Sequence, residues 1–286
     1  MSRYLRYWIA ALLVWVATVA ARTAEVRIVS QTVGTDEMLL AVAAPEQIAA
    51  LSHYARDPQF SGVAREAAAY PALDFGDVET ILRYRPTLVL LGDYSRPELV
   101  EQVRRAGVPV FMLNRYRTLE EAFDSLRQLA VAIGGDAAKA RAEAVIIDCR
   151  QRVDALRDRL KGVPLVRVIA PSTYGVIPGG ETTFQDICDF AGADNLALTL
   201  GHLEGHAPPP NEAMLAWPIE RVVLGGSNVD DAIAPFLKLP PYAAMPAVRN
   251  RRVALLDFWA FSCVSHLRVH AYEQLARQLH PERFKD

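Results

Sequence analysis

GDVETILRYRPTLVLLG, residues 76–92, and NEAMLAWPIERVVLGG, residues 211–226, carry the plan of this chain. In the first, Glu79-x-x-Leu82 precedes Val89-x-Leu91-Gly92; in the second, Glu212-x-x-Leu215 precedes Val222-x-Leu224-Gly225. Both blocks put the leucine 3, the valine 10 and the glycine 13 residues after the glutamate, and one shift of 133 superposes them. Each reads as a short helical turn running into an aliphatic strand buried on both faces. A repeat distance this long lies far outside the roughly 20–50 residues of solenoid units. Two related lobes are therefore expected.

The flanking sequence extends the plan in both directions. Strands are expected at Val26–Val29, Leu88–Leu91 and Val108–Leu113, with helices at Asp36–Ala44, Asp77–Arg83 and Pro97–Ala106, the last opening on a proline. In the second half Val166–Ile169 matches the first strand, and Arg252–Leu256 takes the place of Val108–Leu113. Alternating strands and helices of this kind specify an α/β fold with parallel layers. Between the halves, Leu119–Ile133 reads as an amphipathic helix stopped by Gly134-Gly135. Asp136–Leu160 reads as a second helix, with Asp136 as N-cap and Gly162 as its stop. It would be roughly 37 Å long at the helical rise. The expected division is a first lobe at 22–135, a single backbone helix at 136–162 and a second lobe at 163–286. A ligand cleft should lie between the lobes, at the carboxyl ends of the strands.

Composition excludes several classes. With 51% hydrophobic and 22% charged residues the chain can bury a core, so wholesale disorder is excluded. Lys plus Arg total 31 against 33 Asp plus Glu, without the basic excess of a nucleic-acid binder. The N-terminus has Arg3 and Arg6, then WIAALLVWVATVAA at 8–21, ending in small residues. A basic stretch, a 14-residue apolar run and a small-residue exit describe a cleavable signal peptide at 1–21. An uncleaved anchor is the alternative, although the run is shorter than the roughly 20 residues that span a bilayer. The expected location is the periplasm. Cys149, Cys188 and Cys263 are too few for a disulfide scaffold. Cys188 and Cys263 either pair in an oxidising compartment or remain buried thiols.

The strand-end loops supply the expected ligand-binding residues: His53, Tyr54, Arg56, Tyr94, Arg96, Asn114 and Tyr116 in the first lobe, and Tyr174, Asn228 and Trp259 in the second. Aromatic rings offer flat apolar walls, and arginines offer charge-assisted bonds to carboxylate or catecholate oxygens. Arg115 and Arg117 lie in the same loops. Tyr94, Tyr116 and Tyr174 have the alternative of ordinary packing with the hydroxyl at the rim. Cys263, His266 and His270 have spacing compatible with a transition-metal site, or with one polar helix face. His53 and Tyr54 are candidate ligands for haem iron. The chain lacks G-x-S-x-G, G-x-x-x-x-G-K and H-E-x-x-H, so no enzymatic chemistry, catalytic residue, resident cofactor or bound metal is expected.

The two repeated blocks, VIPGGETTFQDICDFAGADNLA at 177–198, YARDP at 54–58 and the long interlobe helix resemble the substrate-binding proteins of bacterial ABC importers for iron chelates, haem and vitamin B12. The resemblance covers about residues 26–280. It implies a bilobed fold whose backbone helix limits hinge closure, and a monomer that hands a bulky ligand to an ABC permease dimer with its cytoplasmic ATPase. It also implies that Glu79 and Glu212 dock on the permease, one from each lobe. The alternative for both is a first-turn acid favoured by the helix dipole. A ferric siderophore ranks first among ligands because Arg56, Arg96, Arg115 and Arg117 fall in cleft loops. Cobalamin ranks second and haem third. The rivals are a carrier of an apolar polycyclic lipid such as a sterol or hopanoid, and a metal-binding or enzymatic protein on the same scaffold.

Overall fold

A computed structural model describes residues 26–285; the expected signal peptide at 1–21 lies outside them. Among the described residues ten strands form two four-stranded parallel sheets and one two-stranded antiparallel pair. β1 (Ile28–Ser30), β2 (Ile48–Ala50), β3 (Leu88–Gly92) and β4 (Val110–Leu113) make the first sheet, in the order β2-β1-β3-β4. β5 (Val166–Ile169), β6 (Ile177–Pro178), β7 (Ala193–Asn195), β8 (His206–Ala207), β9 (Arg221–Gly225) and β10 (Val253–Leu256) follow. The second sheet has the order β7-β5-β9-β10, and β6 pairs antiparallel with β8. The sheets share one topology, and β3 and β9 are separated by the repeat distance of 133 at both ends. All five residues of β3 are buried, as an aliphatic strand covered on both faces requires.

Local chemistry sets the helix limits. Asp77 accepts the amide proton of Thr80 and starts Val78–Arg83. Thr118 does the same for Glu121 at the head of Leu119–Ile133, and Gly134, at φ 85°, ends that helix. The first helix runs Val33–Val42, earlier than the expected Asp36–Ala44, because Thr32 and Thr35 cap it reciprocally. The expected cap at Asp136 is corrected: Gly135, at φ 84°, is the N-cap, and Asp136 is the first residue of the long helix Asp136–Arg159. An acid there still faces the positive end of the dipole.

This long helix spans roughly 36 Å and buries Ala138, Ala142, Ile146, Cys149, Val153 and Leu156 along one stripe. Near its start Arg141 Nε donates to the Val42 carbonyl (2.8 Å), and Glu143 pairs with Arg127 (2.6 Å). Near its end Arg152 pairs with Glu273 (2.9 Å). The first contacts belong to helices of the first lobe and the last to the C-terminal helix Val269–Leu279. One hydrophobic core follows the stripe from Ile28, Leu39 and Phe123 to Ile187 and Tyr272.

A second junction lies beneath the cleft. Arg268 is wholly buried; its Nη1 donates to Asp186 Oδ2 (2.8 Å) and to the Arg117 carbonyl (3.0 Å). Its Nη2 donates to the Tyr116 carbonyl and its Nε to that of Cys263. Asp186 also accepts from the Tyr272 hydroxyl and the Leu119 amide. Glu37, from the first helix, accepts from Ser265 Oγ (2.6 Å), the Gly62 amide (3.2 Å) and Cys263 Sγ (3.5 Å). The lobes approach so closely that a Cβ on Gly34 would lie 2.2 Å from Val264, and one on Gly62 2.7 Å from the Trp259 ring. All three cysteines are free and buried, so of the two alternatives for Cys188 and Cys263 the structure has buried thiols.

The buried polar groups at this junction and beside it set two stability expectations. Removing one partner of a buried pair strands the other charge. Arg268→Met should therefore lower the unfolding free energy in urea by about 3–5 kcal/mol, and adding Asp186→Leu should recover part of that loss. The second concerns pH. Burial pushes Asp36, which accepts the Ser52 amide proton, from 3.8 up to about 7; it also raises Glu37 and pushes His266 from 6.5 down to about 4. An acid raised in the folded state holds an extra proton there, so the Asp36 contribution to stability falls as pH rises from about 4 to about 7. A histidine lowered in the folded state acts oppositely: its contribution is complete above about 6.5 and is lost as pH falls to about 4. The two oppose each other between these limits. Asp36→Asn should steepen the rise of stability with pH across that window by roughly 3 kcal/mol, read from urea unfolding at a series of pH values.

Candidate functional site

The carboxyl ends of both sheets open into one cavity of about 1400 Å³. That exceeds the roughly 300–1,000 Å³ typical of pockets for drug-sized ligands. Gln31 and Thr32 follow β1, Ser52 and His53 follow β2, and Ala170 and Pro171 follow β5; all line it. Leu224 and Gly225 end β9, and Phe258 follows β10. The strand-end geometry expected from the α/β pattern thus holds in both lobes.

Of the ten residues singled out by sequence, His53, Tyr54, Tyr94, Arg96, Tyr116, Tyr174 and Trp259 line the cavity. Arg56, Asn114 and Asn228 do not. Arg56 donates to the Tyr70 carbonyl. The Asn228 oxygen accepts from the amides of Asp230 (2.7 Å) and Asp231 (3.3 Å) and so caps the helix Val229–Ile233. Asn114 is exposed beyond the end of β4. Arg115 also lies off the cavity and faces Glu121 and Asp124 at 3.9 Å. Arg117 lines the cavity, with its Nη1 on Glu181 Oε2 (2.7 Å).

Aromatic rings line the cavity from both lobes. Tyr54 meets Phe60 at 5.0 Å between centroids, and Phe60 meets Phe258 of the second lobe edge-on at 5.5 Å. Tyr94 and Tyr116 make a second T-shaped pair at 5.9 Å. Tyr116 donates to Asp93 (2.9 Å) and Tyr94 to Thr32 Oγ1 (3.2 Å). Loss of hydration pushes the Tyr94 phenol up to about 12 and raises that of Tyr116, so both are neutral hydroxyls near pH 7. Tyr174 is 90% exposed at the mouth. Trp259 stacks on His270 at 5.1 Å, and His270 Nε2 bonds Asp257 Oδ2 at 2.9 Å. Phe60, Phe75, Phe184 and Glu181 are lining residues that the sequence reading missed. Phe60 and Phe75 sit in irregular loops where no periodicity marks them.

The histidine–cysteine motif has separate structural duties. Cys263 donates to Glu37, His270 bonds Asp257, and His266 is buried with Nδ1 unpartnered. Among the described residues no group of three or more His, Cys, Asp or Glu side chains gathers as a metal-binding cluster. Glu79 and Glu212 are both exposed in the first turns of Val78–Arg83 and Asn211–Met214, one in each lobe.

The comparisons with known proteins agree with this architecture. The vitamin B12-binding protein of Yersinia pestis (strain Pestoides F) is 25% identical over 282 residues, covering 94% of this chain and 91% of that protein. The apo structure of the periplasmic haem-binding protein RhuT from Roseiflexus sp. RS-1 matches with a TM-score of 0.76 and 22% identity, covering 91% of this chain and all of that one. A periplasmic haem-binding protein from Pseudomonas aeruginosa matches with a TM-score of 0.74 and 24% identity, covering 89% and 92% of the two chains. A family model described as periplasmic binding protein matches residues 28–259, most of the chain. The chain belongs to the periplasmic binding protein family.

Proposed function

We propose that this chain is the periplasmic substrate-binding component of an ABC importer, and that its ligand is a corrinoid of the cobalamin type. The observation that carries this reading is the interlobe cleft: about 1400 Å³, walled by Tyr54, Phe60, Tyr94, Tyr116, Trp259 and Phe258, with little net charge. The ranking of a ferric siderophore first rested on four arginines. Two of them, Arg56 and Arg115, lie off the cavity, and Arg117 is neutralised by Glu181. A polyanionic ferric catecholate would meet Arg96 with little else to balance it. A broad corrin face suits the aromatic walls better, and the vitamin B12-binding relative supports that order. Haem ranks second; its iron would have to draw on His53 or Tyr54, which lie together with rings 4.9 Å apart. Ligand binding then favours the closed arrangement of the lobes, and docking on the permease favours release. No covalent step is required.

Isothermal titration of residues 22–286 should give a saturable one-to-one heat with cyanocobalamin, a weaker one with haemin, and none with a ferric catecholate or a sterol. Trp259→Ala should weaken cyanocobalamin binding by roughly ten- to hundredfold, the cost of losing a large aromatic anchor. Silence towards both tetrapyrrole-type ligands would overturn the reading.

The exposed acids Glu79 and Glu212 are proposed to seat the protein on a two-fold permease, each lobe presenting one negative charge to a basic partner surface. Glu79→Arg combined with Glu212→Arg should abolish uptake in vesicles carrying the permease and ATPase, with cyanocobalamin affinity unchanged. Uptake at the wild-type rate would assign both residues to the helix dipole alone.

A further inference from the structure

The Arg117–Glu181 pair stands at the mouth of the cleft and joins the two lobes. Both residues line the cavity, and their side chains are 61% and 68% exposed. The backbone of Arg117 is anchored: its carbonyl accepts from buried Arg268 Nη1 (3.0 Å), and its amide donates to Glu121 Oε2 (2.9 Å). Glu181 precedes the helix cap Thr182 and has φ 52°, the left-handed region that disfavours a residue with a Cβ. Arg117 is the one ion-pair partner of its carboxylate among the described residues. In this turn the Glu181 side chain holds a negative charge against a guanidinium in the binding cleft.

That placement controls how many anionic groups the cleft can accept. Glu37 is engaged by Ser265, Gly62 and Cys263, and Asp74 faces Arg83 at 3.8 Å. Arg96 lines the cavity with no carboxylate at ion-pair distance among the described residues. One guanidinium is thus free for a ligand anion and a second is already occupied. An incoming carboxylate at Arg117 would share the guanidinium with Glu181, which bonds Nη1, and so would place two anions beside one cation. Filling the cleft expels water and lowers the local dielectric, so that repulsion strengthens as the ligand seats. Discrimination against a competitor is commonly built from such a repulsive element rather than from extra attraction to the preferred ligand.

We propose that Glu181 is a specificity-determining residue: by occupying Arg117 it admits ligands with no more than one anionic group and selects against dianions. The inference deepens the transport reading and rests on it for the identity of the cleft as the binding site. Haemin, with two propionates, and cyanocobalamin, whose single phosphate is balanced by the charge on cobalt, are the discriminating probes. Glu181→Gln should raise haemin affinity at least tenfold and leave cyanocobalamin affinity within twofold. The gain should shrink as salt is added, and it should vanish in Glu181→Gln combined with Arg117→Gln. Equal changes for the two ligands, no gain for haemin, or a gain that survives loss of Arg117 would each overturn the inference. A wild-type chain that binds neither ligand would overturn the transport reading alone, provided that Glu181→Gln gains haemin through Arg117.

Discussion

A guanidinium sealed from solvent holds the lobes of this protein in register. Arg268 draws together the Asp186 carboxylate of the second lobe and the Tyr116 and Arg117 carbonyls at the edge of the first. Burying an ion pair is costly, and an apolar substitute is often as stable. What the pair adds here is direction. A planar fork with donors on both sides fixes the angle at which the chain leaves β4, and so where Tyr116 and Arg117 stand in the cleft. The carboxylate of Glu37 completes the arrangement by accepting from both lobes. The long helix Asp136–Arg159 sets the distance between the sheets, and the polar junction sets their mutual orientation.

The cleft inherits its character from this geometry. Parallel strands that end at the same level present two sets of loops to each other, and the lobes meet at Gly34 and Gly62, where a side chain would collide with Val264 or Trp259. Trp259 is pinned between the Gly62 backbone and the His270 ring. A wall residue held on both faces can meet a flat ligand with little loss of rotamer freedom. The cavity thus presents apolar rings held in place and few charges to desolvate.

Much of this was legible in the residues. The offset of 133 between Glu79 and Glu212 locates β3 and β9 to within about a residue, because an aliphatic run closed by glycine leaves few options for a strand's limits. Leu119–Ile133 was equally clear from its periodicity and the glycines after it. Asn228 is the instructive miss: its place in a strand-end loop marks it as a ligand residue, although an asparagine before Val-Asp-Asp has the form of the N-cap that it is. The arginines were not legible. A loop arginine reaches several ångströms in any direction, and nothing local reveals that Arg56 turns to Tyr70 or that Arg117 meets Glu181, 64 positions away. Contacts such as Ser265 to Glu37 span 228 positions and exist only once both lobes have folded.

The three buried thiols bear on how long such a molecule lasts. Burial holds Cys149 near 11 and Cys188 and Cys263 above their ordinary range, so the folded chain offers almost no thiolate for oxidation or mispairing. In an oxidising compartment its chemical lifetime is governed by how often it opens. Each excursion that exposes a cysteine is a chance of irreversible damage, and the junction around Arg268 and Glu37 is also what makes those excursions rare. Endurance under oxidising conditions is in this sense a property of the lobe junction, the three cysteines being free thiols.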